Sequence, residues 1–356
     1  MKKSSVAIFS ILSFLILIAI LFYAFIFLQT RPVDSKNEDS IRIEIPSGTT
    51  VSQVAKNLEE NNIIKNARLF YFSVRFPLIN SFLFFKESVP EKFILKSGIY
   101  RLNKSMDFSE IQNELISGQQ EYIIISIPEG LTISKIAAIL ESNKICPAYD
   151  FIKIAKDRNQ AIFKEYKIPG ESLEGYLFPD TYYLTSGMNA ADVARLMVEN
   201  FFNRIKEIPE LSAKSPSELF QTLILASIVE REYRIPEEAP LIASVFKNRI
   251  SQNIGLYSCA TVEYILTEIE GRPHPERILI EDTKIDNPYN TYKWAGLPPG
   301  PISNPGMVAL KASADTPKTN YYFFQIVDPA AGKHIFTTNF DEHVQSHNLY
   351  TKSNKK

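Results

Sequence analysis

The sequence predicts an α+β fold with three parts: an N-terminal transmembrane helix, a small strand–helix region, and a mostly helical domain with β-hairpins. Three observations lead to this prediction. A long apolar stretch without charge lies near the N-terminus. A strand–turn–helix pattern occurs twice, at an offset of 82 residues. In the later part of the chain, apolar residues recur at helical spacing, and two short aromatic-rich segments flank a turn near the end.

The composition excludes several classes of protein. Among 356 residues, 39 are Lys or Arg and 40 are Asp or Glu, so the net charge is -1. A protein that coats nucleic acid needs a surplus of basic residues, because phosphate contacts dominate its binding. The two cysteines, Cys146 and Cys259, form no Cys-x-x-Cys pair, which excludes a disulfide framework and a cysteine zinc site. The length suggests about two domains.

The apolar stretch predicts a membrane anchor. No charged residue occurs from Val6 to Leu28, and about 20 apolar residues cross a bilayer core. No Ala-x-Ala site follows, so we expect an uncleaved anchor, with a long signal peptide as the alternative. Lys2 and Lys3 precede the stretch and favour a cytoplasmic N-terminus. This orientation places the rest of the chain outside the cytoplasm, with residues 1–30 as the N-terminus and anchor.

After a polar linker at residues 31–40, the repeated pattern begins. Ile43–Leu58 and Ile125–Leu140 each combine a β-branched strand, a Pro-x-Gly turn and an amphipathic helix. In each copy one of two hydroxyl side chains can cap the helix: Thr50 or Ser52 in the first, Thr132 or Ser134 in the second. Both copies loosely resemble the strand–helix units of LysM-type glycan-binding modules. A packing unit without a ligand is the alternative.

The other elements follow in order. The expected domains are a LysM-like subdomain at 41–120, a catalytic domain at 121–350 and a basic tail at 351–356. Local patterns predict a strand at Gly98–Leu102, helices at Phe108–Ile116 (closed by Gly118), Ala148–Lys156 and Ala190–Ile208, an aromatic loop and strand at Gly170–Leu184, and a hairpin of Tyr321–Val327 and His334–Thr338.

One helix carries a candidate catalytic residue. Ser215, Pro216 and Glu218 form a strong helix start with a capping box. Apolar residues cover nearly every side of the helix that follows, so it should be central and buried. Leu223 lies on one apolar stripe of this helix, and so does Glu230.

Burial raises the pKa of a carboxyl group, and a general acid that works near neutral pH needs a pKa of roughly 6–7. Glu230 is therefore a candidate acid. The alternative is a carboxylate that turns outward or pairs with Arg231 or Arg234. Glu232 lies about 200° round the helix, so it cannot share a substrate atom with Glu230. A second carboxylate would come from elsewhere, for example Glu174 or Asp180.

Several motifs together resemble the YceG-like (MltG) family of endolytic murein transglycosylases. They occur in the family's order and span about residues 40–350. The catalytic-helix motif is Leu225–Glu232. The others are Leu173–Tyr182, Ala243–Arg249, Ser258–Val262, Tyr289–Tyr292, Gly296–Gly300, Ile302–Gly306, Ala309–Ser313 and Phe336–Thr338.

The resemblance implies cleavage of the β-1,4 bond between N-acetylmuramic acid and N-acetylglucosamine in nascent peptidoglycan strands. The product end is 1,6-anhydromuramic acid, and no water is consumed. By the family motif, Glu230 is the single catalytic carboxylate. Such an enzyme would terminate glycan elongation at the cell (inner) membrane, with cell-wall synthases as partners. No metal ion, organic cofactor or nucleic acid is expected.

Other motif positions suggest substrate contacts. Tyr and Asn side chains suit sugars, because sugars present hydroxyls on one side and C–H surfaces on the other. The candidates are Glu174, Asp180, Tyr289, Asn290, Tyr292 and Pro298. For each, the alternative is a structural role in a core or turn. In some family members the position of Cys259 is an Asp. Because this chain departs from that pattern, no catalytic role is expected for Cys259. A buried free thiol is expected instead.

Two other interpretations compete with a transglycosylase: a zinc site and a non-enzymatic scaffold. His343 and His347 have a zinc-compatible i, i+4 spacing, but they do not form a His-Glu-x-x-His motif, so zinc is not expected. Alternatively, the protein is a membrane-anchored peptidoglycan-binding scaffold without enzymatic activity. A scaffold has no use for a buried acid, so Glu230→Gln would leave it unaffected.

Overall fold

The computed structural model describes residues 2–46, 48–76, 96, 98–117 and 122–353, with side chains from residue 11 to residue 346 of these ranges. Gly118 and residues 354–356, which carried two of the predictions, lie outside the described residues. The chain divides into two compact units. Unit 1 comprises Met1–Ile123 and Tyr183–Met188, and unit 2 comprises Ile124–Tyr182 and Asn189–Lys356.

Unit 1 begins with an apolar helix, α1, at Lys2–Thr30. Its portion Ile11–Thr30 has a mean hydropathy of 3.0 and is long and apolar enough to cross a membrane. Within the described residues, no other helix meets this criterion. Large side chains along it, such as Phe14 and Leu21, are exposed, as expected of a helix that requires an apolar environment.

The first copy of the repeat forms the core of unit 1. Its strand pairs antiparallel with a later strand, with Ile43 opposite Tyr100. Leu58, Phe70 and Phe108 are fully buried between the two-stranded sheet and three helices. The described elements after α1 are β1 (Ile41–Ile45), α2 (Val51–Glu60), α3 (Ala67–Arg75), β2 (Gly98–Leu102) and α4 (Phe108–Ser117).

The second copy of the repeat forms β3 and α5, and mostly helical segments follow. β3 pairs with β4, and both strands lie where the chain passes from one unit to the other. The elements from here on are β3 (Ile123–Ser126), α5 (Ile133–Ser142), α6 (Ala148–Lys156), α7 (Ala161–Glu165), β4 (Thr181–Leu184), α8 (Ala190–Arg204), α9 (Pro209–Ser212), α10 (Pro216–Glu232), α11 (Ala239–Ser251), α12 (Cys259–Tyr264), α13 (Met307–Ala314), β5 (Phe323–Asp328), β6 (Lys333–Thr337) and α14 (Phe340–Ser353).

The α+β architecture with one apolar N-terminal helix is confirmed, and so are the main local predictions. α10 starts with the predicted capping box between Ser215 and Glu218. It packs against α11 and α13 and is buried from Leu223 to Val229. The C-terminal hairpin forms as β5 and β6. Because short 3₁₀ segments and turns join many of these elements, unit 2 is irregular between α12 and α13.

Candidate active site

The C-terminal end of α10 carries two carboxyl groups with different surroundings, both in unit 2. Glu230 contacts Gly306 and Tyr233, whereas Glu232 contacts Ser258. The different partners follow from the helix, because side chains two positions apart point about 200° apart.

Glu230 is partly buried beside two glycines. Its Oε2 accepts a hydrogen bond from the Gly306 N–H at 2.9 Å, and the Tyr233 hydroxyl donates to Oε1 at 3.4 Å. A Cβ on Gly130 would lie 3.4 Å from the Glu230 Cγ. The Pro-x-Gly turn of the second repeat copy, which contains Gly130, therefore packs directly against the Glu230 side chain. Burial raises the pKa of Glu230 to about 7, the Gly306 N–H opposes the rise, and the Glu129 charge adds to it. The position of Glu230 on the apolar stripe predicted that its pKa would be raised.

The turn of the second repeat copy is fixed by Asn304. The Asn304 Nδ2 donates to the Leu131 carbonyl at 2.9 Å and to Glu174 Oε1 at 2.8 Å, and its Oδ1 accepts from the Leu177 N–H at 2.9 Å. Its backbone adds two bonds, from the Gly130 N–H and to the Leu131 carbonyl, both at 2.8 Å. Asn304 thus joins three separate segments of unit 2.

Glu174 lies beneath the N-terminus of α5 and is only 2% exposed. Both of its carboxylate oxygens accept from the Ile133 N–H at 3.2 Å. Burial raises the pKa of Glu174 to about 8, against the hydrogen bonds from Ile133 and Asn304. Glu174 therefore joins α5 to the Asn304 segment, and its burial keeps it away from a sugar in solution.

Glu232 lies in the wall of a cavity of about 630 Å³. The Ser258 hydroxyl donates a short hydrogen bond to Glu232 Oε1. Burial raises the pKa of Glu232, and the Ser258 hydroxyl and the positive charges of His334 and Arg231 oppose the rise. A carboxylic acid at the wall of a cavity is placed to meet a ligand.

The cavity brings together charged, polar and aromatic groups from five helical or strand elements (α10, α11, α12, β5 and α14) and the loop before α12. Arg249 is buried, and its guanidinium donates to the carbonyls of Tyr322 and Leu256 at 2.7 and 2.6 Å. A cavity of several hundred Å³ with apolar walls and a few polar groups is typical of a ligand site. The lining residues are Glu232, Phe246, Arg249, Ile254, Leu256, Tyr257, Ser258, Cys259, Phe323, Phe324, Phe340 and His343.

Tyr292, a predicted substrate contact, lies beside this cavity. Its hydroxyl is 3.0 Å from the Cys259 Sγ, and its ring packs edge-on against Tyr257 at 5.6 Å between centroids. The prediction of a buried thiol is wrong, because Cys259 is exposed where α12 begins at the cavity wall. Tyr257 is half exposed, so an aromatic face borders the cavity.

Asn290, another predicted contact, is fully buried and its amide is engaged within the protein. Its Nδ2 donates to the carbonyls of Thr283 and Ile285 at 2.9 and 2.7 Å, and its Oδ1 accepts from the Tyr292 N–H at 3.0 Å. Since no donor is left facing solvent, Asn290 holds the loop that presents Tyr292.

Tyr289 and Pro298 lie away from the described lining of the cavity. The Tyr289 ring packs 5.2 Å from that of Tyr264, and a Cβ on Gly300 would lie 2.8 Å from the Tyr289 hydroxyl. Pro298 is buried. A side chain at position 300 would therefore displace the Tyr289 hydroxyl.

Asp180 is engaged elsewhere in unit 2. Its Oδ2 accepts from Arg204 at 2.8 Å and from Asn200 at 3.0 Å, and its Oδ1 accepts from the Thr181 N–H at 2.8 Å. These bonds, in spite of partial burial, hold the pKa of Asp180 below its usual value. Asp180 fastens β4 to α8, and no described contact joins it to Glu230 or Glu232.

Three residues that contribute to the site, Ser258, Thr291 and Asn304, were not predicted as functional, although each lies inside one of the motifs. Ser258 occurred only within the Ser258–Val262 motif, and in the structure it is the N-cap residue of α12. Asn304 precedes a proline, which usually indicates only a turn. Their partners lie 26 and 130 residues away in sequence, and no local pattern predicts such pairs.

The histidine pair is tested only in part. His343 borders the cavity and stacks on Phe323 at 5.3 Å. The side chain of His347 lies outside the described residues. Among the described residues, no group of three or more His, Cys, Asp or Glu has the arrangement of a metal site.

Comparisons with known proteins agree with the motif analysis. A family model, the YceG-like family, matches residues 43–348. The chain is 31% identical over 340 residues to the endolytic murein transglycosylase of Bacillus subtilis (strain 168), covering 91% of this chain and 88% of that protein. It is 27% identical over 364 residues to the endolytic murein transglycosylase of Streptococcus pneumoniae serotype 2 (strain D39), covering 94% of this chain but 63% of that longer protein.

A solved structure is also similar. The 2.6 Å crystal structure of a YceG-like protein from Listeria monocytogenes matches with a TM-score of 0.56 and 29% sequence identity. The match covers 86% of this chain and 99% of that chain. The similarity therefore extends over both units and is not confined to the motifs.

Proposed function

The chain belongs to the YceG-like family, and on this premise we propose how it cuts peptidoglycan. It is an enzyme, a lytic transglycosylase that cleaves peptidoglycan. The bond broken is the β-1,4 bond between N-acetylmuramic acid and N-acetylglucosamine, at internal positions of the strand. The new end is 1,6-anhydromuramic acid, and glycan elongation stops there.

Two carboxyl groups compete for the role of the acid. The family motif and the apolar stripe favour Glu230, whose pKa near 7 suits a general acid. The cavity favours Glu232, and this observation carries the proposal. An acid must lie within hydrogen-bond reach of the glycosidic oxygen, and of the two it is Glu232 that borders a described cavity large enough for sugar rings. We assign the acid to Glu232 and keep Glu230 as the competing assignment.

The reaction needs only one such group. The protonated acid donates its proton to the glycosidic oxygen as the bond from that oxygen to muramic C1 breaks, which releases a neutral N-acetylglucosamine hydroxyl. The resulting carboxylate then takes the proton from the muramic C6 hydroxyl as the C6 oxygen bonds to C1. The acid is regenerated without water. Hydrolases need a second carboxylate to activate water or attack the sugar, and this route does not.

Tyr292 and Tyr257 are the proposed sugar contacts at the cavity. Aromatic faces pack on sugar C–H surfaces, and the Tyr292 hydroxyl supplies a polar contact. The predicted roles of Glu174, Asp180, Tyr289, Asn290 and Pro298 as substrate contacts become indirect in this proposal, because the described bonds of these residues run within the protein.

The remaining assignments rest on the anchor and the repeat. α1 holds the enzyme in the cell (inner) membrane with its N-terminus in the cytoplasm, and the catalytic domain acts outside the cytoplasm on strands near the membrane. The strand–helix part at 41–120 acts as a LysM-like subdomain that contacts glycan, ahead of a catalytic domain at 121–350. Cell-wall synthases, which make the strands, are the proposed protein partners.

Product mass spectrometry tests the function and the residue together. The full-length protein in detergent is incubated with purified peptidoglycan strands, in parallel with Glu232→Gln and Glu230→Gln. We expect anhydromuramic ends, one water lighter than hydrolytic ends, from the unchanged protein. We expect a loss of at least 1,000-fold in Glu232→Gln, because an essential proton-transfer group contributes roughly 10²–10⁴-fold, and a loss of less than about 10-fold in Glu230→Gln.

The other outcomes are equally informative. A complete loss in Glu230→Gln with an active Glu232→Gln would return the acid to Glu230. Hydrolytic ends would mean a muramidase with a second carboxylate. Binding of strands without any cleavage, even by the anchored protein in membranes, would favour the scaffold.

A further inference from the structure

Ser258 has an unusual position for a serine that precedes a helix. It is the N-cap residue of α12, yet its side chain makes no capping hydrogen bond. An N-cap serine normally accepts a bond from an N–H of the first turn, which stabilises the helix. Here the hydroxyl donates to Glu232 Oε1. The local stabilisation is forgone in favour of a contact with the proposed acid.

The orientation of Ser258 is fixed by its neighbours. It is 2% exposed, and its backbone N–H donates to the Thr291 Oγ1 at 3.1 Å. Thr261 Oγ1 donates to the Ser258 carbonyl at 2.7 Å and lies 2.9 Å from the Thr291 Oγ1. Thr291 lies between Asn290 and Tyr292, so the loop that presents Tyr292 also holds Ser258.

This contact determines where the acid can carry its proton. A donor on Oε1 occupies that oxygen as an acceptor, and a carboxylic acid has one proton. The proton of Glu232 is therefore directed to Oε2, the oxygen that Ser258 does not contact. When the proton has been transferred, the same hydroxyl stabilises the carboxylate, because hydrogen bonds to charged acceptors are the stronger ones.

Other charges also act on Glu232, and they must be separated from the effect of Ser258. Arg231 precedes it on α10, Arg249 lies on α11 and His334 on β6, and all three favour the carboxylate. Cys259, Tyr257 and His343 are the further titratable groups that line the cavity. None of these groups donates to Glu232 in a described hydrogen bond, so Ser258 is the specific contact.

We propose that Ser258, locked by Thr291, is a positioning residue that holds Glu232 and directs its acidic proton to Oε2. This inference rests on the proposed function and on the assignment of the acid to Glu232. Ser258 does not itself touch the reacting atoms. Its removal should therefore alter the protonation and orientation of the acid, while substrate binding stays nearly the same.

The test is the pH dependence of anhydromuramic product formation by the full-length protein. Removal of a donor to the carboxylate raises the pKa of Glu232, and kcat/KM falls where the acid loses its proton. Ser258→Ala should therefore move the alkaline limb of kcat/KM to higher pH by about one to two units, the shift expected from the loss of one hydrogen bond to a charged group. It should also lower kcat at least 10-fold with KM changed less than 2-fold.

Three variants accompany Ser258→Ala. Ser258→Thr keeps the hydroxyl and should restore the position of the limb. Thr291→Val keeps the shape but removes the acceptor for the Ser258 N–H, and should give a smaller shift in the same direction. Ser244→Ala is the matched control, because Ser244 is a buried serine that contacts Thr319 instead, and its profile should be unchanged.

A measurement independent of turnover supports the result. The midpoint of the Glu232 carboxyl can be followed by ¹³C NMR, identified by its absence in Glu232→Gln. An unshifted midpoint and an unshifted limb in Ser258→Ala, together with an inactive Glu232→Gln, would overturn this inference and leave the proposed function standing. An active Glu232→Gln would overturn the assignment of the acid and this inference with it. If Ser258→Ala fails to fold, Thr291→Val provides the test: a shift of its alkaline limb to higher pH supports the inference, and an unshifted limb overturns it.

Discussion

The two copies of the repeat share a backbone pattern but differ in how the helix N-terminus is satisfied. In the first copy, Thr50 and Gln53 form a capping box within the same helix. In the second copy, Thr132 accepts from the Lys135 N–H at 3.4 Å, and lysine at the equivalent of Gln53 cannot return the bond. A helix end that its own sequence leaves open has donors available for partners from elsewhere.

The partners of the second copy are two distant carboxyl groups. Glu174 accepts from the Ile133 N–H, and Glu268 accepts from the hydroxyls of Thr132 and Ser134 at 2.8 and 2.7 Å. Glu268 lies in the π-helical turn after α12, a kind of distortion that is frequent at functional sites. The second copy is thus integrated into the domain that bears the proposed acid. In the first copy, by contrast, the cap of α2 is formed by Thr50 and Gln53 alone.

The largest effect is expected when the capping partner of each repeat helix, α5 or α2, is removed in turn. Glu174→Ala leaves the Ile133 N–H and one of the two Asn304 amide hydrogens without an acceptor in a buried place, and each loss costs roughly 1–3 kcal/mol. We expect the opening free energy of the α5 amides to fall by about 3 kcal/mol in hydrogen exchange. Gln53→Ala should lower that of α2 by only about 0.5–1 kcal/mol. Equal losses would contradict the distinction.

The next test is pH. The pKa of Glu174 is raised in the folded protein from its ordinary 4.5 to about 8, so between these values the folded state holds a proton that the unfolded state lacks. The stability of α5 is therefore full below about pH 4.5 and is lost as the pH rises towards 8, by more than about 1 kcal/mol. The cap of α2 uses an amide side chain and should show no such trend.

The control for the pH test is Glu174→Gln, which cannot titrate. Hydrogen exchange, corrected for the intrinsic rate at each pH, measures both helices in one experiment. An α5 that becomes more stable as the pH rises would show that Glu174 is ionised in the folded protein.

The smallest expected effect concerns the two turn glycines. Gly48 and Gly130 have φ values of +79° and +76°, so alanine at either should cost about 1 kcal/mol. A Cβ at Gly48 would meet nothing within 4 Å, whereas one at Gly130 would contact the Glu230 Cγ. Gly130→Ala alone should therefore raise the pKa of Glu230 further, through added desolvation. ¹³C NMR of that carboxyl measures the shift, and an equal response to Gly48→Ala would refute the argument.

Local elements were predictable because their signals lie within a few residues. The capping box at Ser215, both repeat helices and the C-terminal hairpin follow from caps, periodicity and turn residues. Where the sequence left a choice of cap, the structure selects Thr50 and Thr132. A threonine at the first extended position can reach the third N–H, and the serine two residues later is already inside the helix.

The site was predictable only in part. The spacing predicted the buried helix that carries both candidate carboxyl groups and the direction of the Glu230 pKa shift, because both predictions depend on one helix face. It did not identify the cavity at Glu232, whose walls come from α10, α11, α12, the hairpin and α14. Nor did it predict that the Asn290 amide donates to two backbone carbonyls within the protein and so is not available to a sugar. Such features depend on pairs of distant segments that no local pattern specifies.

The division of the chain into units has a consequence for biosynthesis. Unit 1 includes Tyr183–Met188 as well as Met1–Ile123, so it is incomplete when residue 123 has been made. At about 5–20 residues per second, the next 65 residues (188 minus 123) take roughly 3–13 s. Unit 1 lacks one of its segments during this interval, and the segments that bring Glu268 and Asn304 to the second copy are made later still. A chain cut near residue 120 would lack that segment of unit 1 permanently.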